Sequence, residues 1–278
     1  MLIKVTIGAA MTRFVVACLM MVSVSHHGVA AGESERFVCT TLVASGNPQY
    51  PPLLWRSDRS PGELVGAIPA FLRELIEPLG VKVEVRDKGS WARVQHLAKL
   101  GDLDLVAGAF MTSERIGYMD YVLPPMTHLP TSVWVPKDRP FEYRHWPDLL
   151  MKRGSTLINN SFGQRFDQYA KANLMIEGVR TIEQSFLMAR AGRVDYVLYE
   201  QLQGQVKLQK LGLAGDFIAL DPPISREGLF FAFPKGSPCN SESFREAFME
   251  RLSHLTVNRR LPALIEEYTA RYVGNQGL

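Results

Sequence analysis

"LAKLGDLDLVAGAFMTSER", residues 97–115, holds the end of an amphipathic helix, a glycine stop, an aspartate three residues later and a nearly all-apolar run. The same order recurs in "LMARAGRVDYVLYE", residues 187–200. A helix feeding a buried, apolar strand is the unit of a parallel sheet covered by helices on both faces. Its repetition about ninety residues apart predicts two similar α/β lobes. The first strand is expected to end at Phe110 and the second at Glu200. In open α/β sheets ligands bind beyond the carboxyl ends of the strands. Arg115 follows Phe110 in the first turn of a helix that Thr112 is expected to cap. A cation is disfavoured at a helix N-terminus. Either an anion comes to sit beside Arg115, or the arginine is solvated and leans on Glu114 or Asp120.

Working outward, strands and helices alternate along the chain. "RFVCTTLVAS" (36–45) reads as a strand, followed by the loop "GNPQYPP". Ile68, Phe71, Leu72, Leu75, Ile76 and Leu79 make one apolar helical face, stopped by Gly80. "VKVEV" (81–85) alternates as a strand, and Ser90 caps a helix that Gly101 ends. Further strands are expected at "SVWVP", "STLIN", "VDYVLYE" and "LFFAFPKG". Helices are expected after Ser161, after Thr181 with Gln184 in capping-box spacing, over "QLQGQVKLQKLG", after Ser243 with Glu246, and from Pro262. Asp104 and Asp195 read as servants of the turn before each strand.

Residues 1–31 do not belong to this pattern. Lys4 and Arg13 precede an apolar run from Phe14 to Val24, and small residues follow to Ala31. That is the order of a secretory signal peptide, tightest if translation starts at Met11 rather than Met1. The run is too short to cross a bilayer comfortably. Removing it leaves 29 basic and 28 acidic side chains, without a basic cluster, which argues against nucleic acid as a partner. The apolar fraction, 46%, suits a globular chain with a real core. Two cysteines remain, Cys39 and Cys239; in an exported chain they read as a disulfide, with two buried thiols as the alternative. His96, His128, His145 and His254 are scattered, with no metal-ligand spacing, and no nucleophile elbow or phosphate-cradling loop occurs. No metal, cofactor or catalytic residue is therefore expected, and the chain reads as a binding protein rather than an enzyme.

If both strand ends face one cleft, Arg115 is a bidentate receptor for a carboxylate and Glu200 a receptor for an ammonium. Tyr50 and Trp91 would supply aromatic walls, although Trp91 also suits a core anchor and Tyr50 a turn contact. Ser161 offers a hydroxyl, after any role as an N-cap. Phe110, Trp91 and Phe162 suggest an apolar or aromatic ligand side chain.

The mature chain resembles the bacterial extracellular solute-binding proteins of family 3, polar amino-acid binders of ABC importers. "YPPLLW" looks like the family's YPPF segment, and "GELVGAIPAFLRELIEPLGVKVEV" like its glycine–helix–LG–strand stretch. "LAKLGDLDLVAGAFMTSER" and "AGRVDYVLYE" match its first-lobe and second-lobe segments, collinearly. The resemblance implies a type 2 periplasmic-binding fold with mostly parallel sheets. Lobe 1 would span 36–128 plus 232–278 and lobe 2 129–231, with crossings near 126–130 and 228–232 as a two-segment hinge. It implies that Arg115 binds a ligand α-carboxylate, helped by the Ser161 loop, and that Glu200 binds the α-amine. Two departures stand out: Phe110 replaces the usual Ser or Thr, and Glu200 is one methylene longer than the usual aspartate. The expected partners are an amino acid or related small carboxylate, and an ABC permease or a membrane sensor. A periplasmic monomer follows, with a dehydratase-type enzyme as the competing class.

Overall fold

The computed structural model describes residues 37–274, so the expected leader over 1–31 lies outside the described residues. The chain runs through β1 (Thr41–Ser45), β2 (Gln49–Tyr50), β3 (Leu54–Arg56), β4 (Leu64–Val65), α1 (Ala67–Ile76) and β5 (Lys82–Val85). Then come α2 (Trp91–Leu100), β6 (Leu105–Phe110), α3 (Ser113–Ile116), β7 (Met119–Tyr121) and β8 (Thr127–Pro136). The next group is β9 (Arg153–Leu157), α4 (Gln164–Asn173), β10 (Met175–Val179), α5 (Ile182–Arg190), β11 (Tyr196–Glu200) and α6 (Gln201–Lys210). β12 (Phe217–Pro234), α7 (Glu242–Val257) and α8 (Arg260–Val273) complete it.

The main sheet has the order β10-β9-β11-β8-β12-β6-β1-β5, with β7 added on β12. Its two flanks are parallel, β10-β9-β11 on one side and β6-β1-β5 on the other. Two antiparallel strands, β8 and β12, join the flanks. This is a two-lobed α/β fold, each lobe built from one flank and its helices. β12 pairs with β8 from Phe217 to Leu229, and its last residues pair with β6 and β7. The two stretches expected as crossings lie side by side, with His128 opposite Gly228 and Thr127 opposite Leu229. Residues 217–228 were not expected as strand, because "LDPPISREG" is dense in residues that weaken strands. A cis Asp221–Pro222 bond and a register shift between Leu220 and Ser225 accommodate them. Tiny β2, β3 and β4 form a separate antiparallel sheet, too short to be read from periodicity.

α1 shows how the pattern becomes stability. Ile68, Phe71, Leu72, Leu75 and Ile76 are all fully buried, and Gly80 ends the following 3₁₀ turn at φ 81°. Burying five such side chains contributes on the order of 10 kcal/mol before conformational entropy is charged against it. α2 is held at both ends, by Ser90 Oγ accepting from the Arg93 N–H and by Gly101 at φ 78°.

Two helix starts differ from expectation. α7 begins two residues earlier than the Ser243 reading: Ser241 Oγ accepts from the Phe244 N–H at 3.3 Å. That start puts Phe244, Phe248 and Leu252 on one buried stripe at i, i+4, i+8. α8 opens at Arg260, with Pro262 inside its first turn, where a missing N–H costs nothing.

The repeated motif is held by a repeated device. Asp104 Oδ2 accepts from the Val43 N–H of β1 at 2.8 Å, and Asp195 Oδ2 accepts from the Arg153 N–H of β9 at 2.7 Å. Each aspartate therefore ties the start of its strand to the neighbouring strand, a longer-range task than serving its own turn. Cys39 and Cys239 form a disulfide with Cα atoms 4.8 Å apart, fastening the chain before β1 to the segment before α7.

Candidate functional site

β6 and β11 end on opposite sides of one cleft. Its inner part, a cavity of about 20 Å³, is lined by Tyr50, Trp91, Phe110, Arg115, Asn160 and Glu200, with Asn47, Leu229 and the β6 backbone. Arg115 and Asn160 also line an outer chamber of about 610 Å³ that contains Ser161 and Asp167. Hydrogen bonds cross between the lobes around this cleft. Gln95 Nε2 donates to the Asn159 carbonyl at 3.1 Å, the Ser113 N–H donates to Gln164 Oε1 at 3.1 Å, and the Tyr199 hydroxyl donates to the Gln49 carbonyl at 3.0 Å.

Arg115 is 5% exposed. Thr112 caps its turn by accepting from the Arg115 N–H at 3.3 Å. α3 is a single turn, so the dipole argument carries little here. The guanidinium is held instead by Nη1 donating to the Phe110 carbonyl at 3.0 Å and by the Trp91 ring, whose centroid lies 5.4 Å from Cζ. No carboxylate lies within ion-pair distance of it among the described residues, so the reading in which it leans on Glu114 or Asp120 falls away: Glu114 pairs with Lys99 at 2.6 Å, and Asp120 accepts from Asn240 at 2.8 Å. A buried cation without an anion is costly, and it is the state an incoming anion relieves.

Glu200 ends β11 at 1% exposure, and its Oε2 has no hydrogen-bond partner. Burial pushes its carboxyl up to about 7, opposed by its own backbone N–H, the Tyr50 hydroxyl and the Asn160 amide. An ammonium arriving beside it would restore the carboxylate. One small cavity thus joins an unpaired buried cation to an unpaired buried acid.

The other expected residues divide. Tyr50 lines the cavity and meets Tyr199 edge-on at 6.2 Å. Trp91 does two things, packing with Val94, Val106 and Met119 while its face supports Arg115. Phe110 lines the cavity and offers its carbonyl to Arg115 and to the Tyr121 hydroxyl at 3.0 Å each. Ser161 is not the cap of α4; Gly163 holds that position at φ 95°, where a β-carbon would collide with the Glu227 carboxylate. The Ser161 hydroxyl donates to Asp167 instead, in the outer chamber. The Phe162 ring faces away from the cleft, packed edge-on to Phe166 at 5.8 Å within the second-lobe core. Asp167, which also accepts from the Phe162 N–H at 2.8 Å, was not expected at the site. Burial raises its pKa, while Ser161, the Phe162 N–H and the Arg115 charge pull the other way. Asn160, whose amide lies beside Glu200, was missed too; an asparagine in "NNS" reads from sequence as turn chemistry. Among the described residues no group of three or more His, Cys, Asp or Glu is placed to hold a metal, and no helix is long and apolar enough to cross a membrane.

A two-lobed α/β chain with one polar, charge-bearing cleft between its lobes defines a ligand-clamping protein. The chain belongs to the bacterial extracellular solute-binding proteins of family 3, whose model matches residues 42–271. No curated protein matches the sequence. Solved structures share the fold. An amino-acid ABC transporter substrate-binding protein, AbpA from Streptococcus pneumoniae bound to L-arginine, is 20% identical at a TM-score of 0.70, over 84% of this chain and 96% of that one. A histidine kinase sensor domain with similarity to periplasmic binding proteins is 19% identical at 0.69, over 83% and 96%. The ancestral amino acid-binding protein AncCDT-1, a precursor of cyclohexadienyl dehydratase, is 21% identical at 0.65, over 83% and 96%.

Proposed function

We propose that the protein is exported to the periplasm, captures an α-amino acid between its lobes and delivers it to an ABC importer. One observation carries this reading. Arg115 and Glu200, both buried and both without an ion-pair partner among the described residues, line the same cavity. A zwitterion neutralises both at once. Its carboxylate takes the guanidinium fork, its ammonium takes Glu200, and Asn160 bridges the two. Lobe 1 is assigned 36–128 plus 232–278 and lobe 2 129–231, so that bending of β8 and β12 near Thr127 and Gly228 opens the cleft. A cavity of about 20 Å³ holds roughly one water, so a ligand enters only through such an opening. The signal-like residues 1–31 and the disulfide both suit an oxidising compartment outside the cytoplasm.

The test is a thermal-shift panel of L-amino acids on the purified, ligand-stripped protein. A ligand at a hundred times its Kd should add about 2.7 kcal/mol, or roughly 5 °C for a domain of this size. A shift from an amino acid, and none from its decarboxylated or deaminated analogue, is the expected result. Equal shifts from the analogues would sink the zwitterion reading.

One observation favours a second reading. A buried carboxyl titrating near 7 is a suitable general acid, and Glu200 could protonate a leaving group on a bound carboxylate. Turnover of a bound carboxylate, abolished by Glu200→Gln, would establish it. Sensing rather than transport would be recognised by ligand-dependent binding to a membrane receptor instead of a permease.

A further inference from the structure

The inner cavity, roughly one water in volume until the lobes part, is bracketed by the two groups that would take a zwitterionic head, so the rest of a ligand must leave through the outer chamber. Two helices wall that chamber with matching stripes at i, i+3, i+4, i+7. α2 presents Ala92, Gln95, His96 and Lys99, and α4 presents Gln164, Asp167, Gln168 and Lys171. Both helices begin at the head group: Trp91 touches Arg115, and Gln164 is bonded to Ser113 beside it. Each stripe then runs outward through polar side chains, Gln95 and His96 on α2 and Asp167 and Gln168 on α4, and ends in a lysine, about 10 Å along the helix from where it started. Lys99 is shared with Glu114 at 2.6 Å, but Lys171 has no carboxylate within ion-pair distance among the described residues. Gln168 likewise makes no hydrogen bond within the described residues.

Resting on the zwitterion reading above, the geometry points to a ligand longer than a single amino acid. It is an α-amino acid whose side chain carries a hydrogen-bonding spacer, such as an amide, and ends in an anion that meets Lys171 and Lys99 at the chamber mouth. The spacer lies between Gln95 on α2 and Gln168 on α4, whose carboxamides donate and accept and so suit an amide. A chamber of about 610 Å³ is ample for such a tail and far larger than an apolar or aromatic side chain needs. It is also walled by polar groups, contrary to the apolar preference expected from Phe110, Trp91 and Phe162. Asp167 does not turn this end of the chamber into a receptor for cations. Its two oxygens are already engaged by the Ser161 hydroxyl and the Phe162 N–H, and it lies on the Arg115 side of Lys171.

The probe is γ-L-glutamylglycine, an amino acid head with an amide spacer and a terminal carboxylate, compared by calorimetry with L-glutamine, L-leucine and L-arginine. The wild-type protein should bind it at least roughly tenfold tighter than L-glutamine, the amide without the anion. Lys171→Gln should lower that ratio roughly three- to fivefold, the worth of a partly exposed ion pair, and Lys171→Glu should lower it further. The ratio should also fall with added salt. An equal or better affinity for L-leucine or L-arginine, or a ratio indifferent to Lys171→Glu, overturns the tail assignment. Arg115→Ala separates the two claims. If it abolishes binding of every probe while the lysine variants change nothing, the zwitterion site stands and the tail assignment fails. If γ-L-glutamylglycine binds Arg115→Ala as well as wild type, the zwitterion reading fails and the tail assignment with it; if it binds neither protein while L-glutamine or another amino acid binds wild type, the tail assignment alone fails.

Discussion

Glu200→Gln should make the ligand-free protein more stable at alkaline pH, and by an amount that changes with pH. The Glu200 carboxyl titrates about 7 in the fold against 4.5 for an unburied glutamate, with desolvation as the leading cause. A folded-state pKa above the unfolded one means that the native state holds the proton more tightly. Stability from this group is therefore full below pH 4.5, falls as pH rises through the window from 4.5 to 7, and is lost above it. At about 1.4 kcal/mol per unit, the loss comes to roughly 3 kcal/mol. By pH 5 little of it has been incurred, so about 2.5 kcal/mol separates pH 5 from pH 8. Tyr50 and Tyr199, the titratable neighbours, are raised well above the usual tyrosine range by burial and stay neutral throughout. A neutral amide of the same shape has no such window. Urea unfolding of both proteins at pH 5 and pH 8, compared as a double difference, cancels the other titrating groups. The variant should gain about 2–3 kcal/mol relative to wild type on going from pH 5 to pH 8. It should do so while losing amino-acid binding. A stability difference that is the same at both pH values would show that the carboxylate is solvated or paired in the native cleft, and the reasoning would fail.

Ligand affinity should follow the same proton in the opposite sense. Binding an ammonium requires the Glu200 carboxylate, so Kd should be flat above pH 7 and rise about tenfold at pH 6 and about a hundredfold at pH 5; a flat profile would be contrary. Cys39→Ser with Cys239→Ser releases a closure of 200 residues and should cost about 3–5 kcal/mol, read as a fall in Tm of roughly 6–10 °C, with little change in ligand affinity. Asp104→Ala leaves the Val43 N–H of β1 without its acceptor and should cost about 1–3 kcal/mol in urea unfolding, whereas Asp104→Asn, which keeps an acceptor, should cost less.

The sequence was most readable where a local rule and the tertiary packing agree. Ser90, the apolar positions of α1 and Gly101 each obey a capping or periodicity rule, and the fold keeps all three. Arg115 and Glu200 were found because a repeated helix–glycine–aspartate–strand unit pointed to two equivalent strand ends. What escaped depends on relations that periodicity does not encode. Phe162 is apolar and adjacent to the cleft loop, but which way its ring turns is decided by Phe166 and the second-lobe core. Ser161 looks like a cap in sequence, yet Asp167 six residues on competes for its hydroxyl and the helix starts later. The stripes ending at Lys99 and Lys171 read as ordinary solvated helix faces; only the folded chain sets them opposite one another. β12 was half missed because Pro222, Pro223 and Gly228 disguise a strand that pairs with β8 through a bulge.

The central claim is that Arg115 and Glu200 hold the two charges of one zwitterion. It is tested most directly by calorimetry of the amino acid that gives the largest thermal shift and of its decarboxylated amine, each titrated into wild type and Arg115→Ala. Truncating one partner of a buried charge pair costs about 2–5 kcal/mol. Wild type should therefore prefer the amino acid by at least roughly thirtyfold, and Arg115→Ala should lose that preference altogether. If Arg115→Ala remains folded and still prefers the amino acid by the wild-type factor, the carboxylate is held elsewhere and the account is wrong.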